Sequence, residues 1–172
     1  MVIVVTGAIG IGKTTVCRNF VKIAQNQGYA CGGILSYKDA DESITLEDIE
    51  SGKKKALASI TNLWHGPRTA KYFFNPKAID FGVQVIDGAI SKDILVVDEI
   101  GHLELRGEGF AKVIELIRAG KVKNSILVIR KELLLAFSAR LDSKLSIIET
   151  TIENRNELPQ KIGTLLNLRK RT

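Results

Sequence analysis

Short apolar runs alternate with stretches of helical periodicity from one end of the chain to the other. Val2-Ile3-Val4-Val5-Thr6 is β-branched almost throughout and predicts a buried strand, closed by Gly7. From about Gly12 the apolar positions fall on one helical face, Val16, Phe20, Ile23 and Ala24, until Gly28 stops them. Tyr29 to Tyr37 reads as a second strand. Ile44 to Glu50 and Ala56 to Ile60 flank Ser51-Gly52-Lys53-Lys54-Lys55, a hairpin turn whose lysines suit an exposed edge.

Asn75-Pro76 then opens a helix, Asn75 as N-cap and Pro76 in the first turn, with Ile79, Val83, Ile86 and Ile90 on its apolar face. Ile94-Leu95-Val96-Val97 is a continuous apolar strand ending in Asp98-Glu99. Beyond it the pattern predicts a helix from Phe110 to Arg118, a strand from Ser125 to Arg130 and a helix from Glu132 to Arg140. A strand from Leu145 to Thr150 and a helix from Asn156 to Lys170 complete the chain. Fully apolar strands separated by helices imply a mostly parallel sheet covered on both faces. No repeat or linker interrupts the pattern, so the expectation is one α/β domain over residues 1–172 with the hairpin as an insertion.

Composition adds little beyond class. With 45% hydrophobic and 26% charged residues, the chain is neither disordered nor fibrous. No apolar run approaches the ~20 residues of a bilayer span, and Met1 to Val5 lacks a basic leader; both predict a cytoplasmic protein without membrane contact. Cys17 and Cys31 fit neither a disulfide framework nor a metal site and read as small buried hydrophobes. The net charge of +6 lies entirely in residues 121–172, where 11 basic side chains face 5 acidic ones. Its tail, Arg169-Lys170-Arg171, reads as a solvated helix end; with no interleaved aromatics it gives weak support to nucleic-acid binding.

The chemistry begins at Gly7-Ala8-Ile9-Gly10-Ile11-Gly12-Lys13-Thr14, which matches the phosphate-loop pattern without a mismatch. Such glycines let successive backbone N–H groups point inward at phosphate oxygens, and the following helix adds its positive end. Lys13 would supply a point charge to the β and γ phosphates, Thr14 a hydroxyl ligand for Mg²⁺, and Thr15 a contact to the α phosphate. Asp98, at the end of a buried strand, would hold Mg²⁺ directly or through water. Glu99 would orient and deprotonate an attacking water. Asp98-Glu99-Ile100-Gly101 also fits the Asp-x-x-Gly turn of a GTPase switch, which places Gly101 at the γ-phosphate. Asn154-Arg155-Asn156-Glu157 faintly echoes a guanine-specific loop, and Asn154 stands where ligands meet the carboxyl ends of parallel strands. Arg68, Arg130 and Arg140 are candidates for stabilising transition-state charge. His65 and His102 form no metal cluster, and Tyr72-Phe73-Phe74 reads as strand core.

The phosphate loop with its second threonine, the run Val97-Asp98-Glu99-Ile100-Gly101-His102-Leu103-Glu104-Leu105 and Asn154-Arg155 together resemble the small thermophilic nucleoside-triphosphatase family. The similarity runs in order over most of the chain, including Leu57-Ala58 and Ala70-Lys71-Tyr72. It implies a three-layer α/β P-loop NTPase fold, kinase-like or RecA-like, and slow hydrolysis of ATP, GTP and other nucleoside triphosphates. Two departures stand out: Ser36 to Asp41 is short and, with Lys38 alone, lacks the basic residues expected there, and His102 replaces a common lysine. The expected activity is therefore Mg²⁺-dependent hydrolysis with Lys13 and Glu99 as the catalytic pair. A nucleoside or nucleotide kinase, or a nucleotide-switched RNA- or partner-binding protein, are the alternatives. Neither oligomeric state nor base preference is written in these motifs.

Overall fold

Strand β1 (Val2–Thr6) is buried along its whole length, and it sits one strand in from the β8 edge of a single eight-stranded sheet. The structure, a computed structural model, describes residues 1–141 and 144–171. In chain order the remaining strands are β2 (Cys31–Lys38), β3 (Ile44–Asp48), β4 (Lys54–Ser59), β5 (Phe73–Phe74), β6 (Ile94–Ile100), β7 (Ser125–Ile129) and β8 (Leu145–Glu149). Across the sheet they run β5-β4-β3-β2-β6-β7-β1-β8. The five from β2 to β8 are parallel, and β3, β4 and β5 extend the sheet antiparallel beyond β2.

The helices are α1 (Lys13–Asn26), α2 (Pro76–Gly88), α3 (His102–Leu105), α4 (Lys112–Arg118), α5 (Leu134–Leu141) and α6 (Leu158–Leu165). Alternation along each strand sends neighbouring side chains into different cores. Ile3, Val5, Val96, Ile126 and Val128 meet α1 and α6 through Val16, Phe20, Leu158 and Ile162. Val4, Leu95, Val97, Leu127 and Ile129 meet α2, α4 and α5 through Ala78, Ile86, Val113 and Phe137. Two layers of helix on one sheet explain why the central strands read as unbroken apolar runs: each face needs its own half. At about 1.5–3 kcal/mol per fully buried aliphatic side chain, these strands carry much of the stability.

Several boundaries differ from the pattern, each for a local reason. Asn75 caps α2 as expected, its side chain accepting from the Lys77 N–H at 3.1 Å. The helix ends before Ile90, which is only half-buried. The last helix is shorter than 156–170. The chain makes turns before Leu158, and Asn167 takes a positive φ of 54° that ends the run. Arg171 then folds back, pairing with Asp93 and lying 3.9 Å over the Tyr29 ring, so one of the three tail cations serves the fold. The hairpin lysines do mark an edge, because β5 pairs only with Ala58 and Ser59 and leaves the Lys54 end of β4 uncovered. Cys17 and Cys31 are buried and unpaired. No helix is long and apolar enough to cross a membrane among the described residues.

Candidate functional site

The loop from Gly7 to Gly12 turns off the carboxyl end of β1 and delivers the chain into α1. Gly7 allows that turn because a Cβ there would stand 2.7 Å from the Thr150 carbonyl oxygen. Gly12 is the N-cap of α1 with φ 107°, a region L side chains rarely enter. No side chain caps this helix, so its first N–H groups face the loop without a side-chain acceptor. The Lys13 side chain is buried and curls over the loop, donating to the carbonyls of Gly7 at 3.0 Å and Ala8 at 2.8 Å. Thr14 donates its hydroxyl to the Ser36 carbonyl at 3.3 Å. Ile9, at the loop tip, is 78% exposed.

The end of β6 supplies the opposite wall. Its register with β7 shifts between Val97 and Ile100, at Asp98 and Glu99. Asp98 is 1% exposed; its main-chain carbonyl accepts from the Ser36 hydroxyl, while its side-chain Oδ2 has no partner. Burial pushes its pKa up to about 7, the Thr14 hydroxyl pulls it down, and the charge of Glu99 raises it again. A buried oxygen left unpaired beside a threonine hydroxyl is what a divalent cation with oxygen ligands would satisfy. The described residues contain no cluster of three His, Cys, Asp or Glu side chains, so the protein alone offers no closed metal cage. That suits Mg²⁺, which keeps several waters and takes its remaining ligands from phosphates.

Glu99 is half-buried and ion-paired to Arg130 Nε from the end of β7. Glu104 is buried and does a different job: it accepts from the Gly101 N–H at 2.7 Å and the Phe110 N–H at 2.9 Å. It thereby clamps both ends of the segment after β6, and burial raises its pKa although both bonds oppose that. Glu104 thus makes the reciprocal half of a capping box, while Gly101 has no side chain to make the other half.

A cavity of about 540 Å³ joins the two walls. Ile9, Gly10, Gly12, Lys13, Thr14, Asp98, Glu99 and Gly101 line it, as do Ser36 and Arg130. Gly7, Ala8, Ile11 and Thr15 lie outside its wall; Thr15 is exposed on α1, where the outer side of the loop begins. Asn154 is also outside the wall. Its Oδ1 accepts from the Thr151 N–H at 2.9 Å and its Nδ2 donates to the Glu149 carbonyl at 2.9 Å, so both ends of the amide shape the turn after β8. That turn carries Arg155 to the phosphate loop, Nη1 reaching 3.5 Å from the Ile11 carbonyl. Of the three arginines, only Arg130 reaches the cavity. Arg68 is exposed and pairs its backbone with Phe73, and Arg140 donates to the Glu104 carbonyl at 3.4 Å from an exposed position. Phe74, on β5, and Tyr72 beside it pack half-buried against the core, meet edge to face and also line the cavity.

A parallel sheet with helices on both faces, carrying a phosphate loop at the end of one strand and an acidic pair at the end of another, defines the P-loop NTPase class. Two solved structures share this fold: THEP1 from the hyperthermophile Aquifex aeolicus (TM-score 0.78, 23% identity, 96% of this chain and 99% of that one) and a human cancer-related nucleoside triphosphatase (TM-score 0.72, 21% identity, 98% of each). The model of the NTPase family matches residues 2–163. The nucleoside-triphosphatase THEP1 of Methanosarcina barkeri is 30% identical over 167 residues, covering 94% of each chain. That of Thermotoga maritima is 28% identical over 176 residues, covering 99% of this chain and 98% of its own. The chain belongs to this NTPase family, a family of nucleoside-triphosphate hydrolases.

Proposed function

We propose that the protein hydrolyses nucleoside 5'-triphosphates to diphosphate and inorganic phosphate in a Mg²⁺-dependent reaction. One observation carries the reading: Lys13 and Thr14 share a single cavity with Asp98 and Glu99, although the two pairs lie far apart in the chain. The loop amides and the start of α1 bind the phosphates. Lys13 exchanges its carbonyl partners for β- and γ-phosphate oxygens, and Thr15 lies toward the α phosphate. Thr14 and Asp98 would hold Mg²⁺, which when bound neutralises charge developing on the phosphates. Glu99 accepts the proton of a water aligned with the γ phosphorus. Arg130, paired with Glu99, orients that carboxylate and adds a second cation to the cavity beside Lys13.

Base selection is loose in this reading. The Asn154 amide is already committed to its own turn, and the neighbouring Arg155 offers a flat cation rather than a paired set of donors and acceptors. Specificity ratios among ATP, GTP, CTP and UTP therefore stay below roughly 10², since larger ones need a site built to pair the substrate's own polar groups. Phosphate release from each triphosphate, with Mg²⁺ and with Mg²⁺ chelated, tests both statements. Release that survives chelation, or strict preference for one base, contradicts them. The cellular setting that matches this activity is the cytoplasm, with a free nucleotide as the partner.

A further inference from the structure

The cavity is larger and more apolar than a triphosphate tail requires. Its far end, beyond Glu99 and Arg130, is walled by Ile44, Leu57, Tyr72, Phe74, Ile79 and Phe110. Leu57, Ile79 and Phe110 are at most 9% exposed, and the Tyr72 and Phe74 rings stand 6.4 Å apart, edge to face. Phosphates have nothing to bind on these six side chains, and the two lysines that also line the cavity, Lys38 and Lys71, are both ion-paired to Glu42. Nor does the order of the sheet bring the nucleoside there. The phosphate loop follows β1, and the Arg155 turn flanks it on the β8 side. Glu99 lies two strands to the other side of β1, and the apolar walls rise from β3, β4 and β5 beyond it. At about 4.8 Å per strand, β3 stands roughly 24 Å from β8. A triphosphate whose γ end points at Glu99 leaves its base on the Arg155 side and the chamber free.

Building on the hydrolase reading, we propose that this chamber is a second-substrate site for an aromatic alcohol, whose hydroxyl competes with water for the γ-phosphoryl group. Mostly apolar clefts with a few polar groups at one end suit small ring compounds. The polar end here is Glu99 and Arg130, so the ring lies among the aromatic walls and the hydroxyl faces the carboxylate. In the transfer, the acceptor oxygen bonds to the γ phosphorus as the bond from that phosphorus to the β-bridging oxygen breaks. The electron pair leaves with the nucleoside diphosphate, and the hydroxyl proton passes to Glu99 and then to solvent. Without an acceptor in the chamber, water held at Glu99 gives the slow hydrolysis.

The test uses the intact protein with benzyl alcohol, 2-phenylethanol and 2-naphthylmethanol as probes, followed by ligand-observed NMR and by radiolabel from γ-labelled ATP. Saturable binding of at least one alcohol is expected, with Glu99→Gln holding ATP and Mg²⁺ and the alcohol together. In the wild type, label is expected in the alcohol phosphate. Ile44→Trp, on half-buried β3, fills the chamber and is expected to weaken alcohol binding at least tenfold while phosphate release stays within twofold, which also reports that the variant is folded. Ile44→Phe replaces it if the tryptophan variant does not fold. Three results overturn the proposal: no alcohol binds, ATP displaces the alcohol, or the alcohol binds but never receives label. Loss of the hydrolase reading shows separately, as wild-type phosphate release by Glu99→Gln with alcohol binding intact.

Discussion

The phosphate loop and the end of β6 face one cavity and are assembled in opposite ways. Lys13 finds its carbonyl partners five and six residues back along its own loop. The groups of β6 find theirs at a distance: Ser36 is 62 residues from Asp98, and Arg130 is 31 residues from Glu99. The loop is a property of eight consecutive residues and one strand-to-helix turn. The β6 end exists only when β2, β6 and β7 lie side by side. A site built this way separates two tasks: placing Lys13 is entrusted to local backbone, and placing Asp98 and Glu99 is entrusted to the assembled sheet.

Damage to the local half should therefore be large for activity and small for the fold. Lys13→Ala is expected to reduce phosphate release to background. Its nucleotide-free melting temperature should stay within a few degrees of wild type, because two hydrogen bonds worth about 1 kcal/mol each are lost along with a buried cation. Steady-state phosphate release and a thermal melt check both. A large fall in melting temperature would mean that the loop depends on the sheet as much as β6 does.

Glu99→Gln tests the other half at its reacting group. It keeps shape and loses the base, so a drop of 10²–10⁴-fold is expected, with ATP still bound and accumulating uncleaved on the protein. Activity within twofold of wild type would reduce Glu99 to a partner for Arg130.

Arg130→Ala should cost less, about 10²-fold in kcat with KM changed little, the low end of what one transition-state donor supplies. Arg130→Lys should recover part of that loss. A change confined to KM would place Arg130 on substrate binding instead.

The smallest effect reads stability. Asp98 titrates in the fold at about 7, well above an unfolded carboxyl at about 3.9. A raised carboxylate pKa means the folded state holds the proton more tightly, so this group favours folding at low pH and opposes it as pH rises through 7. The ceiling is about 4 kcal/mol above pH 8 for a shift of roughly three units. Metal-free Asp98→Asn should accordingly melt several degrees higher than wild type at pH 8.5, with the gain vanishing near pH 4. Saturating Mg²⁺ and nucleotide should close the gap by stabilising wild type alone. Equal melting temperatures at pH 8.5 would show that the carboxylate has a partner in solution.

Much of this is legible in the sequence wherever the signal is local. β1, α1, the hairpin, the Asn75-Pro76 cap and the acidic strand end all follow from period, caps and turn chemistry. The hairpin read as a possible edge is indeed the antiparallel extension of the sheet. What escaped had no local signature. Ser36 is one serine among many until β2 lies beside β6. Tyr72 and Phe74 read only as core, because an aromatic run looks the same on the wall of a cavity as inside a packed layer. Asn154 read as a base contact because its position beyond a parallel strand suits one, yet its amide closes its own turn.

Residue order alone determined the elements and a loop able to bind phosphate, since these depend on contacts within about a dozen residues, and its unbroken apolar strands implied a sheet covered on both faces. Only the tertiary structure decided that Arg130 rather than Arg68 or Arg140 meets Glu99, that Glu104 clamps the segment after β6, and that apolar side chains line the cavity past Glu99 and Arg130. The reason is the strand order: β7 lies between β1 and β6, and β3 to β5 fold back beyond β2. Adjacency in a sheet is set by the packing of both its faces together, and no single stretch of chain encodes it.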